Sequence, residues 1–378
     1  MLHISEREVD LPKVIAGDLA NILQKNKDII SLSFGEPDFK TQKEVVNYGK
    51  KFLDKSNRYA HDKGLLKLRE VITKKLKKDN QINTNPENII LTSGSQNAIF
   101  CSLLSILDPG KKIIVSSPAY LGHIPAIELV NGSVEYAELD EDFNLDIENM
   151  KKLIDSETKA IMINTPNNPT GKMYSKKLIE EVADLAVENN LYVISDEAYE
   201  KITYGNKHVS IGSLNGMEKY SLTVQSFSKT YSMCGFRLGY VNAPKELAEP
   251  ITKTFRYVGI AAPTISQIMG YEAMKLGNDY IKKVCKEYDK RRKFIVKRLN
   301  GMNLTTRMPE GAFYAFANIS SYSKDSVDFT KMLIKKARVA VIPGTEFGKF
   351  GENYVRLSFA TSMNLIEKAM NRIEKVLK

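Results

Sequence analysis

Between residues 88 and 225 the chain alternates short apolar runs with helical stretches, and few architectures tolerate that alternation. Asn88–Thr92, Lys112–Ser116, Lys159–Asn164, Leu191–Ser195 and Ser221–Gln225 each read as a buried strand. Across Ser175–Asn190, Leu178, Ile179, Val182, Leu185 and Ala186 make one stripe at helical spacing. Strand, helix and strand within about 40 residues form a βαβ unit. Several in series predict an α/β fold, a mostly parallel sheet sandwiched by helices.

Past residue 270 the texture changes. Glu272–Asn300 reads as one long helix with Ile281, Val284, Cys285, Tyr288, Ile295 and Leu299 on one face. Strand candidates follow at Gly311–Asn318, Val339–Ile342 and Val355–Phe359, then a final helix over Asn364–Lys378. This predicts a smaller α+β domain over residues 271–378 beside a large domain over residues 41–270. Residues 1–40, with a short helix and the run Ile29–Phe34, are expected to join the small domain.

Composition removes several functions. With 43% hydrophobic and 26% charged residues, the chain is not a disordered one. Lys and Arg (55) exceed Asp and Glu (45) by ten, but the lysines are scattered over helix faces that also carry Glu, as in Lys282–Arg292. Such faces are solvated and predict no nucleic-acid partner. Lys74-Lys75-Leu76-Lys77-Lys78 reads likewise as the solvent side of a helix that buries Leu68, Val71, Ile72 and Leu76. The three cysteines, Cys101, Cys234 and Cys285, make no disulfide framework. No apolar run reaches the ~18 residues of a membrane helix, and the early charges in Met1–Glu8 do not suit a signal peptide. A cytoplasmic protein is expected, with no membrane partner. No G-x-G-x-x-G, P-loop or G-x-S-x-G is present, and His3, His61, His123 and His208 have no metal-ligand spacing, so no metal is expected.

The informative residues sit where the predicted strands end, which is where ligands collect in open α/β sheets. Thr92-Ser93-Gly94-Ser95-Gln96-Asn97 sets small residues before a helix, a place suited to a phosphate. Asn164-Thr165-Pro166-Asn167-Asn168-Pro169-Thr170-Gly171 packs two prolines, three asparagines and a glycine into a rigid loop. Asp196, in Ser195-Asp196-Glu197-Ala198-Tyr199, ends a buried strand and needs a cationic or hydrogen-bonding partner. Lys229 lies among small hydroxylic residues in Ser226-Phe227-Ser228-Lys229-Thr230, where its neutral amine can attack carbonyls, and Arg237 follows with a fork that suits a phosphate. Arg356 interrupts the apolar run Tyr354–Phe359 and calls for an anion such as a carboxylate. A phosphate cradle, a nucleophilic lysine, an acid and a carboxylate-binding arginine form the set that pyridoxal 5'-phosphate requires.

These segments, in this order, resemble those of the class I/II aminotransferases, the fold-type-I pyridoxal phosphate enzymes. The resemblance opens at Ser31–Phe39, similar to the family's G-x-P-D-F, continues through Arg58-Tyr59-Ala60, Gly64 and Leu68-Arg69, and ends beyond Arg356. It implies a pyridoxal phosphate-dependent aminotransferase that moves an amino group from an L-amino acid to a 2-oxo acid by a ping-pong mechanism through a Lys229 aldimine. Lys229 is then the proton shuttle, and Asp196 the partner of the pyridine nitrogen. Tyr199 and Asn168 are the partners of the phenolic oxygen. Ser226 and Arg237 are implied to bind the phosphate, with contacts from Gly94, Ser95 and Gln96, and Tyr120 to stack on the ring. Tyr59 is implied to reach the phosphate of the other subunit's site, which makes a homodimer with shared active sites. Arg356 is implied to bind the substrate α-carboxylate, with Gly35 and Asn168 lining the pocket. Two departures stand out: Gln96 lies about where members that prefer aspartate often carry Lys, and Tyr120 where Trp is frequent. The alternative on the same residues is a C–S β-lyase or a related enzyme of the same fold. A regulator built on this fold carries a DNA-binding domain ahead of it, and the predicted fold starts within about 30 residues of Met1.

Overall fold

All five apolar runs of the middle region are strands of a single sheet. The computed structural model describes residues 4, 5 and 15–378, without the side chains of residues 15, 16 and 18. Most of the charged N-terminus, and with it part of the expected N-terminal segment, lies outside the described residues. After a two-residue strand β1 (Ile30–Ser31), the main sheet is built from β2 (Ile89–Thr92), β3 (Lys112–Ser117), β4 (Ser133–Glu138), β5 (Thr158–Asn164), β6 (Tyr192–Asp196), β7 (Ser221–Ser226) and β8 (Gly239–Asn242). Their order across the sheet is β2-β8-β7-β6-β5-β3-β4. The pairs from β7 to β4 are parallel, whereas β8 runs antiparallel to both β7 and β2.

Burial explains why the runs are apolar throughout. In β5, Ala160 and Met162 pack with the helices Ser95–Ile106 and Lys245–Gly259, while Ile161 and Ile163 pack with the helix Lys176–Glu188. Both faces of the sheet are covered, so no polar alternation survives. Two strands escape the sequence reading for opposite reasons. Strand β4 is a half-exposed edge with Ser133 and Glu138 in solvent, and β8 is only four residues long.

The C-terminal part differs from expectation at two places. The single helix expected over Glu272–Asn300 is two, Thr264–Lys275 and Asp279–Gly301, with Gly277 between them at φ +77°. A left-handed glycine ends the first helix, and the apolar spacing resumes on the far side without marking the break. The run Val339–Ile342 also divides. Strand β9 (Tyr314–Asn318) pairs with β12 (Tyr354–Ser358), which pairs in turn with β11 (Ile342–Pro343), all antiparallel, whereas β10 (Val339–Ala340) pairs in parallel with β1. The peptide N–H of Leu32 also donates to the carbonyl of Ala340 at 2.8 Å. A core of Ile30, Leu32, Tyr288, Ile295, Phe313, Leu357 and Ile366 joins residues from both ends of the chain.

Lys75 corrects the reading of the basic helix. Leu68, Ile72 and Leu76 are buried as the spacing predicts, but Lys75 also turns inward, with 11% of its side chain exposed. The helix Leu66–Lys75 widens into a π turn over Leu76–Asn80. That turn puts residues five apart on one face, where an α-helix would separate them by about 140°. Lys75 therefore meets Asn80 at 2.9 Å, together with the Glu200 carboxylate and the Gln225 amide.

Candidate active site

The ends of β6 and β7, the loop after β5, the turn after β3, the start of the helix Ser95–Ile106 and the middle of β12 converge on a cleft of about 270 Å³. Its lining includes Gly35, Ser95, Gln96, Tyr120, Asn168, Asp196, Tyr199, Ser226, Lys229, Arg237 and Arg356. Thus the structure brings together all but two of the residues singled out from the sequence. Gly94 stands immediately behind this lining, as the N-cap of the helix Ser95–Ile106. Tyr59 is elsewhere, on the surface and 80% exposed.

Local structure accounts for each placement. Parallel pairing sets Asn164 of β5 beside Asp196 of β6, and the Asn164 Nδ2 donates to the Asp196 carbonyl at 2.9 Å. The Asn164 Oδ1 accepts from the peptide N–H of Asn168 at 2.7 Å, which folds the loop back over the sheet end. Ser226 ends β7 and caps the short helix Phe227–Thr230, its Oγ accepting from the N–H of Ser228 at 3.1 Å. That turn projects Lys229 into the cleft. Arg356 comes from the middle of β12, opposite Phe316 of β9 and Ile342 of β11.

The electrostatics are those of an anion site. Among the described residues, Lys229, Arg237 and Arg356 form no ion pair, although all three line one cleft. Lys229 Nζ donates to the carbonyl of Gly35 at 2.6 Å. Arg237 donates to the carbonyl of Cys234 at 3.1 Å. Arg356 is 4% exposed, gives Nη1 to Asn168 Oδ1 at 2.9 Å and Nη2 to the Ser33 carbonyl at 2.6 Å, and leaves its buried Nε without a partner. Its guanidinium lies between the rings of Tyr314 (4.4 Å) and Phe347 (4.9 Å), which hold its plane. A buried arginine with no counter-ion asks for one from a ligand.

Gly94 gives the cradle its shape. At φ +87°, with a β-carbon that would stand 2.6 Å from Nη2 of Arg237, the position admits only glycine. The guanidinium thereby comes up against the start of the helix Ser95–Ile106, whose free N–H groups and dipole favour an anion. On the opposite side, Asp196 is 4% exposed, and its carboxylate meets Nε2 of His123 at 3.1 Å and the N–H of Ala198 at 3.1 Å. Tyr199 is buried, which raises its phenol well above the ordinary range and keeps its proton in place. Burial, reinforced by Asp196, likewise pushes Tyr120 up to about 12.

Two contributors were not visible in the sequence. His123 carries no metal spacing and enters only because the turn after β3 brings it beneath Asp196. Tyr314 looks like an ordinary strand residue, yet its hydroxyl sits 2.7 Å from that of Tyr199.

Over residues 27–373 the chain matches the family described as aminotransferase class I and II. The chain belongs to that family. It is 42% identical over 367 residues to an aspartate aminotransferase of Pyrococcus abyssi, covering 95% of this chain and 94% of the relative. It is 40% identical to aromatic-amino-acid aminotransferase 2 of Thermococcus litoralis, with the same coverage of both chains. The structure of Thermus thermophilus aspartate aminotransferase with maleate is similar throughout, with a TM-score of 0.95, 33% identity and 100% of both chains covered. The protein is an aminotransferase of fold type I. Among the described residues no helix is long and apolar enough to cross a membrane, and no group of His, Cys, Asp and Glu could hold a metal ion.

Proposed function

We propose that this aminotransferase uses pyridoxal 5'-phosphate, held in the cleft at the ends of β5, β6 and β7, to move an amino group from an L-amino acid to a 2-oxo acid. The carrying observation is the set of three unpaired cations, Lys229, Arg237 and Arg356, spread around one buried acid, Asp196. Two anions and one nucleophile account for that set: a phosphate at Arg237 and Gly94, a carboxylate at Arg356, and the free amine of Lys229.

Bound there, the cofactor supplies an electrophilic carbonyl carbon and a ring that accepts electrons. The chain's own groups do the rest. The carboxylate of Asp196, oriented by His123, holds a proton at the ring nitrogen. Asn168 has its Oδ1 engaged by Arg356, which turns its Nδ2 toward the phenolic oxygen, where Tyr199 also donates. Ser226 keeps a hydroxyl proton for the phosphate because its oxygen already accepts from Ser228, and the Ser95 N–H and Gln96 side chain add contacts. Tyr120 covers one face of the ring. Arg356 orients the substrate by its α-carboxylate, beside Gly35. Lys229 supplies the nucleophilic nitrogen and, once released, moves the proton of the substrate Cα.

Two further readings belong to this proposal. The exposed Tyr59, following Arg58 whose carbonyl accepts from Thr264 Oγ1 at 2.7 Å, serves the phosphate site of a second copy, making a homodimer with shared sites. Residues 41–270 act as the cofactor-binding domain, and residues 271–378 with the N-terminal segment as the small domain that brings Arg356. The setting is the cytoplasm, where the three free cysteines stay reduced.

The test is an absorbance titration of the protein loaded with pyridoxal phosphate. A visible band that disappears with an amino acid and returns with a 2-oxo acid is the expected result, and comparing aspartate with phenylalanine ranks the donors. Release of pyruvate and ammonia without that exchange would turn the reading to a β-lyase.

A further inference from the structure

We propose that Tyr314 is a positioning residue of the cofactor site: its hydroxyl donates to Tyr199, so that the single Tyr199 proton is left to point at the cofactor's phenolic oxygen. This rests on the reading of Tyr199 given above. Tyr314 begins β9, is 1% exposed, and faces the cleft.

Proton bookkeeping gives the direction. Each phenol has one proton to donate. The two oxygens are 2.7 Å apart, so one must donate to the other. Among the described residues the Tyr314 hydroxyl has no second hydrogen-bond partner. It is boxed in by the backbone of Gly35, where a β-carbon would stand 2.2 Å from its oxygen. Tyr199 is therefore the acceptor that remains for the Tyr314 proton. A hydroxyl that accepts one bond becomes a stronger donor in the next. The Tyr314 ring is meanwhile fixed by the Arg356 guanidinium across its face at 4.4 Å and by the Tyr199 ring at its edge, with centroids 5.7 Å apart. One side chain thus links the groups proposed for the cofactor oxygen and the substrate carboxylate. A purely structural tyrosine would need the ring and the packing, but not the hydroxyl.

The test uses the protein loaded with pyridoxal phosphate and reads the pH midpoint of its visible band, which follows the proton on the Lys229 nitrogen. Without the Tyr314 hydroxyl, Tyr199 is a weaker donor and the phenolic oxygen keeps more negative charge. That charge favours the proton on the neighbouring nitrogen, so the midpoint rises. Tyr314→Phe should raise it by about half to one pH unit, the size of one neutral hydrogen bond. Adding Tyr314→Phe to Tyr199→Phe should produce no further shift, because Tyr314 acts through Tyr199. An unchanged midpoint in Tyr314→Phe, or shifts that add in the double variant, overturns the proposal while the cofactor reading stands. Absence of any band in the wild-type protein overturns both. Should Tyr314→Phe not fold, Gly35→Ala asks the same question. Its β-carbon displaces the hydroxyl but stands 3.3 Å from Cζ, so the same upward shift is expected and an unchanged midpoint refutes the link.

Discussion

Removing the Lys75 ammonium should cost this protein more than any other single lysine change in its basic helix. Glu200, 9% exposed, has Lys75 as the cation in contact with it and Asn80 Nδ2 as a neutral donor at 2.9 Å. Burial alone would raise the Glu200 carboxyl, but Lys75, Lys201 and His208 outweigh it and hold the group at about 2. A carboxyl held at about 2 instead of 4.5 corresponds to about 3 kcal/mol for the three cations together. Lys75 has the largest share, and burial in turn lowers its own ammonium, so about 3 kcal/mol is the upper bound for Lys75. That bound lies at the low end of the ~3–5 kcal/mol typical of stripping one partner from a buried pair. Glu197, fully buried, accepts from Ser210 (2.7 Å) and Gln225 (3.0 Å) in the same cluster, so a second anion shares the loss. In wild type the Glu200 contribution is complete above 4.5 and disappears as the pH falls toward 2, the sign for a depressed acid. Urea unfolding followed by circular dichroism should show Lys75→Met less stable at pH 7 by about 1–3 kcal/mol. The deficit should shrink on acidification, because the variant's Glu200 takes up its proton at a higher pH. Lys75→Met/Glu200→Gln should recover most of the loss. A deficit below about 1 kcal/mol for Lys75→Met, or one that grows as the pH falls, would show that the pair behaves as a surface bridge.

Two other variants probe the site and its surroundings. Arg356→Gln removes the charge but keeps a planar amide, and should raise KM for every amino acid by about 10- to 100-fold, the 1.5–3 kcal/mol of a charge-assisted bond; steady-state kinetics with unchanged KM would take Arg356 out of the substrate site. Ile260 sits at φ 63°, ψ −67°, the centre of a tight turn closed by the Ala261 N–H on the Gly259 carbonyl at 2.7 Å, and is half exposed. A β-branched residue there is strained, so Ile260→Gly should stabilise the protein by about 1 kcal/mol; a loss in thermal unfolding would mean that contacts of this side chain outweigh the strain.

The sequence was most legible where one physical demand acted alone. Buried strands on both faces are apolar throughout, so β3, β5, β6 and β7 stand out with nearly their true limits. Most residues that line the cleft were legible because they are charges or turn formers placed where a strand stops, such as Asp196 at the end of β6 and Lys229 after β7, whereas Arg356 stood out as a charge inside an apolar strand. What escaped depended on contacts between distant segments. Strand β8 has too few residues for a pattern, and Lys75 shares the buried stripe of Leu68 and Ile72 but carries a charge, whose partners Glu200 and Gln225 lie 125 and 150 residues away. His123 and Tyr314 join the site through partners 73 and 115 residues away, a relation that no local spacing records.

The one antiparallel strand sets an order on how the protein can be made. Strand β2 touches the rest of the main sheet only through β8, about 150 residues further along. At ordinary synthesis rates that is roughly 8–30 s during which a hydrophobic edge waits without its neighbour. Neither side of the proposed phosphate cradle is in place until then, since Gly94 follows β2 and Arg237 lies two residues before β8. Arg356 arrives later still and is anchored on the Ser33 carbonyl near the chain's start. Nascent chains shorter than about residue 242 should therefore bind chaperones and not the proposed cofactor, and the pocket should close only when synthesis is nearly over.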